Sequence, residues 1–283
     1  MHIDLALSMS PPKRNAAVTL VSGARSKVGY LTYRHTLTPY LEVTPVESFG
    51  WLLDGEETYG LENIEERGLK VCLALGIPAS FQRAKRGIQL ELNMLEARRQ
   101  RLISDGIIPD KKFVVVHPFS GWEFRSWSLE RFGEIVNAIA THLNHDVVLM
   151  CDKSEEEKLD LLQQKFSGRH NVYFVASDDL LDACVILKEA SLFLGNDSGP
   201  LHLASALGTR VVGLFGPASP ELTAPRNAVG TFLFRKVECS PCAQLHCERP
   251  SNSCMSLIGQ DDVLQAVMEQ LSLVPESKAV ANA

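Results

Sequence analysis

Residues 191–215 read SLFLGNDSGPLHLASALGTRVVGLF. Ser191 to Gly195 is an apolar run of strand length, and Asn196-Asp197-Ser198 is a polar turn. Gly199 to Leu207 reads as a short helix closed by Gly208, and Arg210 to Phe215 is apolar again. Two short apolar runs joined by a helix-length segment describe parallel strands with a crossover helix between them. The same unit repeats upstream. Phe113 to His117 is a continuous apolar strand ending in Pro118, followed by an amphipathic helix from Leu129 to His142 and a strand from Asp146 to Cys151. A helix from Ser154 to Phe166, a strand from Asn171 to Ala176 and a helix from Leu180 to Glu189 complete the run. Downstream, a cysteine-rich stretch leads to a last helix, Asp262 to Leu271, with Val263, Val267 and Leu271 on one face. This alternation predicts an α/β fold whose parallel sheet is covered on both faces. Ligands on such sheets lie beyond the carboxyl ends of the strands. Those ends are His117-Pro118, Cys151-Asp152, Asn196-Asp197 and Gly216-Pro217.

The N-terminal third is less regular. Ile3 to Leu7 reads as a strand, Lys13 to Val21 as a helix stopped by Gly23, and Lys27 to Leu31 as another strand. Pro39, Pro45 and Gly55 interrupt residues 34–60, which read as loop with short elements. Asn63 to Leu75 has helical spacing, Gly87 to Asn93 suggests a strand, and Met94 to Ile103 a charged helix. Asp105-Gly106 and Pro109-Asp110 then mark a boundary. The expected organisation is a first domain over residues 1–108, a second over 109–275 and a polar tail over 276–283.

Composition narrows the classes. The 283 residues are 45% hydrophobic and 22% charged, the balance of a folded protein with room for two modest domains. No apolar run approaches the roughly 20 residues of a spanning helix. Met1-His2-Ile3-Asp4 shows no basic region followed by an apolar core, so no leader peptide is expected. A net charge of -6 argues against a general nucleic-acid binder, which presents a basic face. Arg83, Lys85 and Arg86 form a local patch, and Arg98-Arg99-Gln100-Arg101 reads as a solvated helix face. Without export, the seven cysteines are expected to be reduced.

Three groups of residues can carry chemistry. The first is the turn Asp197-Ser198-Gly199-Pro200-Leu201-His202. Ser198 suits an N-cap, and Pro200 suits the first helical turn, where an N–H would lack an intrahelical partner anyway. Gly199 has no Cβ, so a ligand can approach the backbone closely. The first-turn N–H groups and the helix dipole make an anion site to which His202 adds a donor. A plain capped helix with a surface histidine uses the same residues, and the turn alone does not separate the two. The second group is PFSGWEFRSW, residues 118–127, which leaves another strand of the same sheet. Arg125 can grip a phosphate with two parallel N–H donors, and Ser120 with Gly121 makes a small polar turn. An Arg between two Trp equally describes packing. His117 fits a structural histidine better than a catalyst. The third group is Cys239-x2-Cys242-x4-Cys247-x6-Cys254. Four thiolates so spaced can close a structural tetrahedral site, while reduced, packed cysteines are the equal alternative.

Taken together and in order, three blocks reach a family. VVVHPFSGWEFRSWSLERF (114–132), FLGNDSGPLHLASALGTRVVGLFGPASPELTAP (193–225) and ECSPCAQLHCERPSNSCMSLIGQDDV (238–263) resemble glycosyltransferase family 9, the ADP-heptose:lipopolysaccharide heptosyltransferases. The cysteine block is most similar to the heptosyltransferase II branch. The resemblance covers the chain after Phe113 and, more loosely, residues 4–78. It implies a GT-B fold of two Rossmann-like domains, here with an incomplete N-terminal one. It also implies an ADP-sugar donor in the C-terminal domain and a lipopolysaccharide core or lipid A acceptor on the N-terminal side. By position, Ser120, Arg125 and the turn from Asp197 to His202 would hold the donor diphosphate, and Glu155 or Glu156 the ribose. Transfer would invert the anomeric centre and need no metal or other cofactor. The enzyme would be cytoplasmic, in peripheral contact with the inner membrane. Arg125 stands where the family more often has lysine, and Ser128 where many relatives have proline. The family's proposed base lies in the portion with no counterpart here, so no catalytic residue is assigned. Two alternatives stay open: a family member using another sugar or acceptor, and a shortened homologue that binds nucleotide without turnover.

Overall fold

The computed structural model describes residue 88 and residues 92–273, apart from 144, 167, 226, 227, 241 and 243–245, together with five strands nearer the N-terminus. The chain divides into two compact units, Met1–Lys85 with Glu221–Thr223, and Arg86–Pro220 with Ala224–Ala283.

In the first unit, β1 (Leu5–Ser8) pairs in parallel with β2 (Ser26–Tyr33). Strand β3 (Thr36–Val43) runs antiparallel to β2 and to the short strands β4 (Trp51–Leu52) and β5 (Glu57–Thr58). The strand expected over Lys27–Leu31 is therefore present and longer, whereas the loop expected from residue 34 contains an eight-residue strand. Pro39 does not break it, because the ladder leaves room. Pro39 faces Tyr30 of β2, while on the other edge β3 meets β4 at Tyr40 and Leu41 and β5 at Thr36 and Leu37. Thr38 and Pro39 thus fall in the gap between those two pairings, a place where a strand tolerates proline. The helices expected over Lys13–Val21 and Asn63–Leu75 lie outside the described residues, as does most of the strand expected over Gly87–Asn93.

The second unit is built on six parallel strands: β6 (Phe113–His117), β7 (Asp146–Cys151), β8 (Val172–Ala176), β9 (Leu192–Asn196), β10 (Val211–Phe215) and β11 (Gly230–Phe234). Their order is β11-β10-β9-β6-β7-β8. Counted within the unit this is 3-2-1-4-5-6, the doubly wound order, and the chain reverses direction across the sheet between β6 and β9. The helices are α1 (Leu92–Ser104), α2 (Leu129–Thr141), α3 (Glu156–Lys165), α4 (Leu180–Glu189), α5 (Gly199–Ala206), the single turn α6 (Pro220–Thr223), which past Pro220 is counted with the first unit, and α7 (Gln260–Ser272). Alternate strand residues feed two cores. Val114, Val116, Leu149 and Leu194 pack with Phe132, Ile135 and Ile139 of α2, Leu159 of α3 and Val263 of α7. Phe113, Val115, Val148 and Phe193 pack with Val185 and Ile186 of α4, Leu201 and Ala204 of α5 and Leu102 of α1.

Strand β11 was not anticipated. Its run Thr231-Phe232-Leu233-Phe234 is short and only half-buried, as an edge strand is, so its apolar signal is weak. Helix α1 falls in the second unit although the expected boundary followed it. Leu102 is buried there, and α1 carries arginines that meet acids on α4. Arg98 lies 2.8 Å from Asp179 and 2.6 Å from Asp182, Arg101 also pairs with Asp182, and Arg99 lies 3.1 Å from Glu189. The stretch expected to be a solvated face is a docking seam. Each such pair contributes only about 0–1 kcal/mol at a surface, so the buried leucine carries most of the attachment and the arginines set its register.

Gly195 shows how tightly the centre is closed. A Cβ there would sit 2.8 Å from the His117 carbonyl oxygen and 2.8 Å from the Phe193 ring. Gly195→Ala is expected to cost about 1–3 kcal/mol through overpacking. Urea unfolding should show a lower midpoint with an unchanged m-value. An unchanged midpoint would mean that the two central strands can separate without penalty.

Candidate functional site

The site lies at the strand reversal. His117 closes β6 and Asn196 closes β9, and each strand runs straight into a loop. The side chain of Asn196 is fully buried and joins the two. Its Oδ1 accepts the Trp127 N–H at 3.0 Å, and its Nδ2 donates to the Pro118 carbonyl at 2.8 Å. Trp127 is also buried, stacks edge-on to Phe132, and donates its indole N–H to the Ile258 carbonyl at 3.1 Å. The loop from 118 to 127 is thereby pinned at both ends. Between the pins, Glu123–Arg125 forms a single 3-10 turn that presents Arg125. Asn196 is the functional residue that sequence reasoning missed. Its one signal was an amide ending an apolar strand, and that signal was masked by the polar turn beside it.

Arg125 reaches Asp197, with Nη1 3.1 Å from Oδ2 and the N–H directed off the line to the oxygen, so the contact is an ion pair. His202 Nε2 stands 3.7 Å from the other carboxylate oxygen. Asp197 is only 4% exposed. An ionised carboxylate has acceptors and no donor, so Asp197 cannot bind a phosphate oxygen directly. It gathers Arg125 and His202 on one side of the α5 N-terminus.

The turn itself differs in detail from its expected capping. Ser198 occupies the N-cap position, but its hydroxyl donates to the Asn196 carbonyl at 3.2 Å and caps nothing. The Leu201 N–H goes to the Ser198 carbonyl at 3.1 Å, and the Leu201 side chain is buried in the core. Leu201 therefore anchors the turn from beneath. Gly199 is exposed, and a Cβ built on it would meet nothing within 4 Å. The backbone at this point borders open space, as close approach by a ligand requires.

That space is a pocket of about 610 Å³ over the ends of β6, β7, β8 and β9, and it takes in Ser120, Ser198, Gly199 and Pro200 together with His117 and Glu155. The two ribose candidates separate. Glu155 is half-buried on the pocket wall, where burial raises its carboxyl above the usual range. Glu156 begins α3 and is exposed. Glu155 is held by a reciprocal cap in which Asp152 accepts the Ser154 N–H at 2.8 Å and Glu155 accepts the Asp152 N–H at 3.4 Å. His117 is buried, and burial lowers its pKa to about 4, so the ring is neutral at physiological pH. Cys151 lies on the same wall, and burial pushes its thiol up to about 12, which removes it as a nucleophile.

The cysteine loop stands apart from this pocket. Cys239, Cys242, Cys247 and Cys254 border a second cavity of about 380 Å³ together with Glu123, Phe124 and Ser126. Ser240 donates to the Gly216 carbonyl at 2.9 Å and the Cys242 N–H to the Pro217 carbonyl at 3.0 Å, which seats the loop on the end of β10. All four cysteines are free thiols. Among the described residues no group of three His, Cys, Asp or Glu side chains is arranged to hold a metal ion. The tetrahedral site suggested by the spacing is not supported. The four cysteines line a cavity wall instead. Also among the described residues, no helix is long and apolar enough to cross a membrane.

A family model described as glycosyltransferase family 9 (heptosyltransferase) matches residues 62–251, more than half of the chain. The chain belongs to glycosyltransferase family 9. Among curated proteins, the family 9 chain is 26% identical over 119 residues to the lipopolysaccharide core heptosyltransferase OpsX of Haemophilus influenzae, covering 41% of this chain and 34% of that one. It is 24% identical over 160 residues to lipooligosaccharide heptosyltransferase 2 of Campylobacter jejuni, covering 55% of this chain and 50% of the relative. The family 9 chain thus spans a third to a half of the length of these curated relatives. Among solved structures, the ADP-heptose LPS heptosyltransferase II of E. coli superposes with a TM-score of 0.64 at 17% identity, covering 95% of this chain and 76% of that one. At that identity the likeness is one of fold, and it places the family 9 chain among GT-B glycosyltransferases.

Proposed function

We propose that this family 9 chain binds the ADP portion of an ADP-sugar at the β6–β9 reversal and transfers the sugar, a heptose, to a lipopolysaccharide core acceptor. The observation that carries the reading is the Arg125–Asp197–His202 cluster beside the N-terminus of α5. Charge builds on the departing diphosphate as the glycosidic bond breaks. Fixed donors at that point favour the transition state over the ground state. Arg125, His202 and the Gly199 N–H at the start of α5 are such donors, with Ser120 and Gly199 bordering the pocket. Neutralisation by these groups is consistent with transfer that needs no metal, and the family resemblance supports inversion at the anomeric carbon. The second unit would form the donor domain and the first unit the acceptor side. The acceptor would be a lipid-borne saccharide met at the cytoplasmic face of the inner membrane.

The test is transfer of labelled heptose from ADP-heptose to a heptose-deficient core acceptor, with ADP binding followed by calorimetry. Turnover, together with a several-fold loss of ADP affinity in His202→Ala, is the expected result. ADP binding without turnover would support the alternative of a nucleotide-binding homologue. Turnover with another nucleotide sugar only would retain the enzyme class and replace the heptose. Unchanged ADP affinity in a folded His202→Ala protein would remove His202 from the site.

A further inference from the structure

The cavity of about 380 Å³ beside the cysteine loop has no task in the reading above. Its size falls within the range of about 300–1,000 Å³ usual for small-molecule sites. The loop from 118 to 127 borders both hollows. Ser120 and Gly121 line the nucleotide pocket, whereas Glu123, Phe124 and Ser126, which flank Arg125 in the chain, line this cavity.

Its walls are held in place. Arg131 of α2 donates to the Ser256 and Ile258 carbonyls at 2.8 and 3.0 Å, and the Asn252 N–H donates to the Arg249 carbonyl at 3.1 Å. Met255 is buried against Gly216, where a Cβ would collide with its sulfur. Together with Phe124 and Pro217 it gives the cavity an apolar surface.

The polar groups on the wall are of both kinds. Arg249 is half-buried, and its guanidinium makes no hydrogen bond or ion pair among the described residues. Every other described arginine has such a partner. A cation partly stripped of water and left unpaired is costly, unless a ligand supplies the acceptor. The Glu123 carboxylate is likewise unpaired, and Glu248 stands 3.9 Å from His246. Two carboxylates disfavour an anionic ligand, and Arg249 disfavours a cationic one. A neutral polyol fits, because each hydroxyl can donate to a carboxylate or accept from a guanidinium. A sugar ring adds a C–H face that suits Phe124 and Met255.

We infer that this cavity is a saccharide subsite, in which Arg249 and Glu123 read hydroxyls of a sugar ring seated against Phe124. The inference rests on the donor-site reading above and extends it. A ring placed here lies beside the turn that presents Arg125, where the distal phosphate carries the sugar to be transferred. The ring is that of the donor or that of the saccharide acceptor, which must meet at this point.

The thiols on the wall serve as reporters. N-ethylmaleimide labelling of Cys239, Cys242 and Cys247 in the full chain is followed peptide by peptide by mass spectrometry. It is compared with ADP, with ADP-heptose, and with the heptose-deficient core acceptor in the presence and absence of ADP. Calorimetry sets saturating concentrations. ADP alone should leave the labelling rates unchanged, and a ligand that seats a ring in the cavity should slow them several-fold. Protection by ADP-heptose assigns the donor ring, and protection only with the acceptor assigns the acceptor ring; either supports the inference. Arg249→Met and Glu123→Ala should each weaken the protecting ligand several-fold and leave ADP affinity as it was. Neither side chain has a protein partner to lose, so both variants should keep the Tm of the unmodified protein. Full labelling under saturating donor and acceptor overturns the inference. Equal weakening of ADP and of the sugar-bearing ligand overturns it too, as does protection that neither variant diminishes, since the thiols would then be covered by a shift of the loop. Failure of ADP to bind removes the donor-site reading, and the acceptor without ADP then decides this inference alone: protection upholds it and full labelling ends it.

Discussion

Arg125→Met is expected to weaken ADP binding about 100-fold and to lower the thermal midpoint, because the buried Asp197 carboxylate loses its ion-pair partner. The guanidinium is itself a quarter exposed and takes no part in the core, so the loss is one of charge pairing and little of packing. Its contribution to binding is larger, because charge-assisted bonds to a diphosphate are worth about 1.5–3 kcal/mol each and Arg can make two in parallel. Two such bonds at the lower value correspond to about two orders of magnitude in Kd. Arg125→Lys should recover part of this. Lysine supplies the charge as a point and cannot reproduce the fork. Calorimetric titration with ADP at fixed ionic strength measures all three proteins. A methionine variant within a factor of two or three of the unmodified affinity would place the diphosphate away from Arg125.

Asn196→Ala should lower the unfolding free energy by about 3–5 kcal/mol, the largest stability effect expected of any single change at the site. The carboxamide is fully buried and serves as acceptor to the Trp127 N–H and donor to the Pro118 carbonyl. Removing it strands two buried backbone groups of opposite kind, each at a cost of about 1–3 kcal/mol. In a unit of this size that corresponds to a drop in Tm of roughly 10 °C. Asn196→Asp tests the polarity of the arrangement. It keeps the acceptor for Trp127 and turns an acceptor toward the Pro118 carbonyl, so it should be no better than alanine. A variant with unchanged Tm would show that water or a shifted loop replaces the amide at no cost.

Much of the second unit was legible because its strands carry a strong signal. Phe113–His117, Asp146–Cys151 and Leu180–Glu189 are apolar runs or helices bounded by clear breaks, and the structure has them at those limits. Of the four strand ends named from the sequence, those of β6, β7 and β9 adjoin the pocket, the end of β8 joins them, and Pro217 after β10 borders the cysteine-lined cavity instead. What stayed illegible depends on contacts distant in sequence. Asn196 acts on residues 69 and 78 positions away, and neither partner is a side chain. Leu201 reads as a turn residue in the motif, yet its side chain belongs to the core. Glu155 and Glu156 are neighbours of one type, and only the helix start after β7 turns the first toward the pocket and the second to solvent. Residues 34–60 misled for a similar reason, since tolerance of Pro39 depends on which partners β3 meets.

The strand order carries a kinetic consequence. Strands β6, β7 and β8 follow one another in both chain and sheet, as do β9, β10 and β11, so each trio can assemble through nearby segments. The seam between the trios is different: Val114 must find Leu192 and His117 must find Gly195. Closing a loop of that length carries an entropic cost that the short crossovers do not, and pairings distant in sequence form slowly. His117, Asn196 and the start of α5 all belong to that seam. During refolding, the ability to bind nucleotide should therefore emerge with the slowest phase, after most of the helical signal has returned. The pocket is the place where two early-formed halves finally meet.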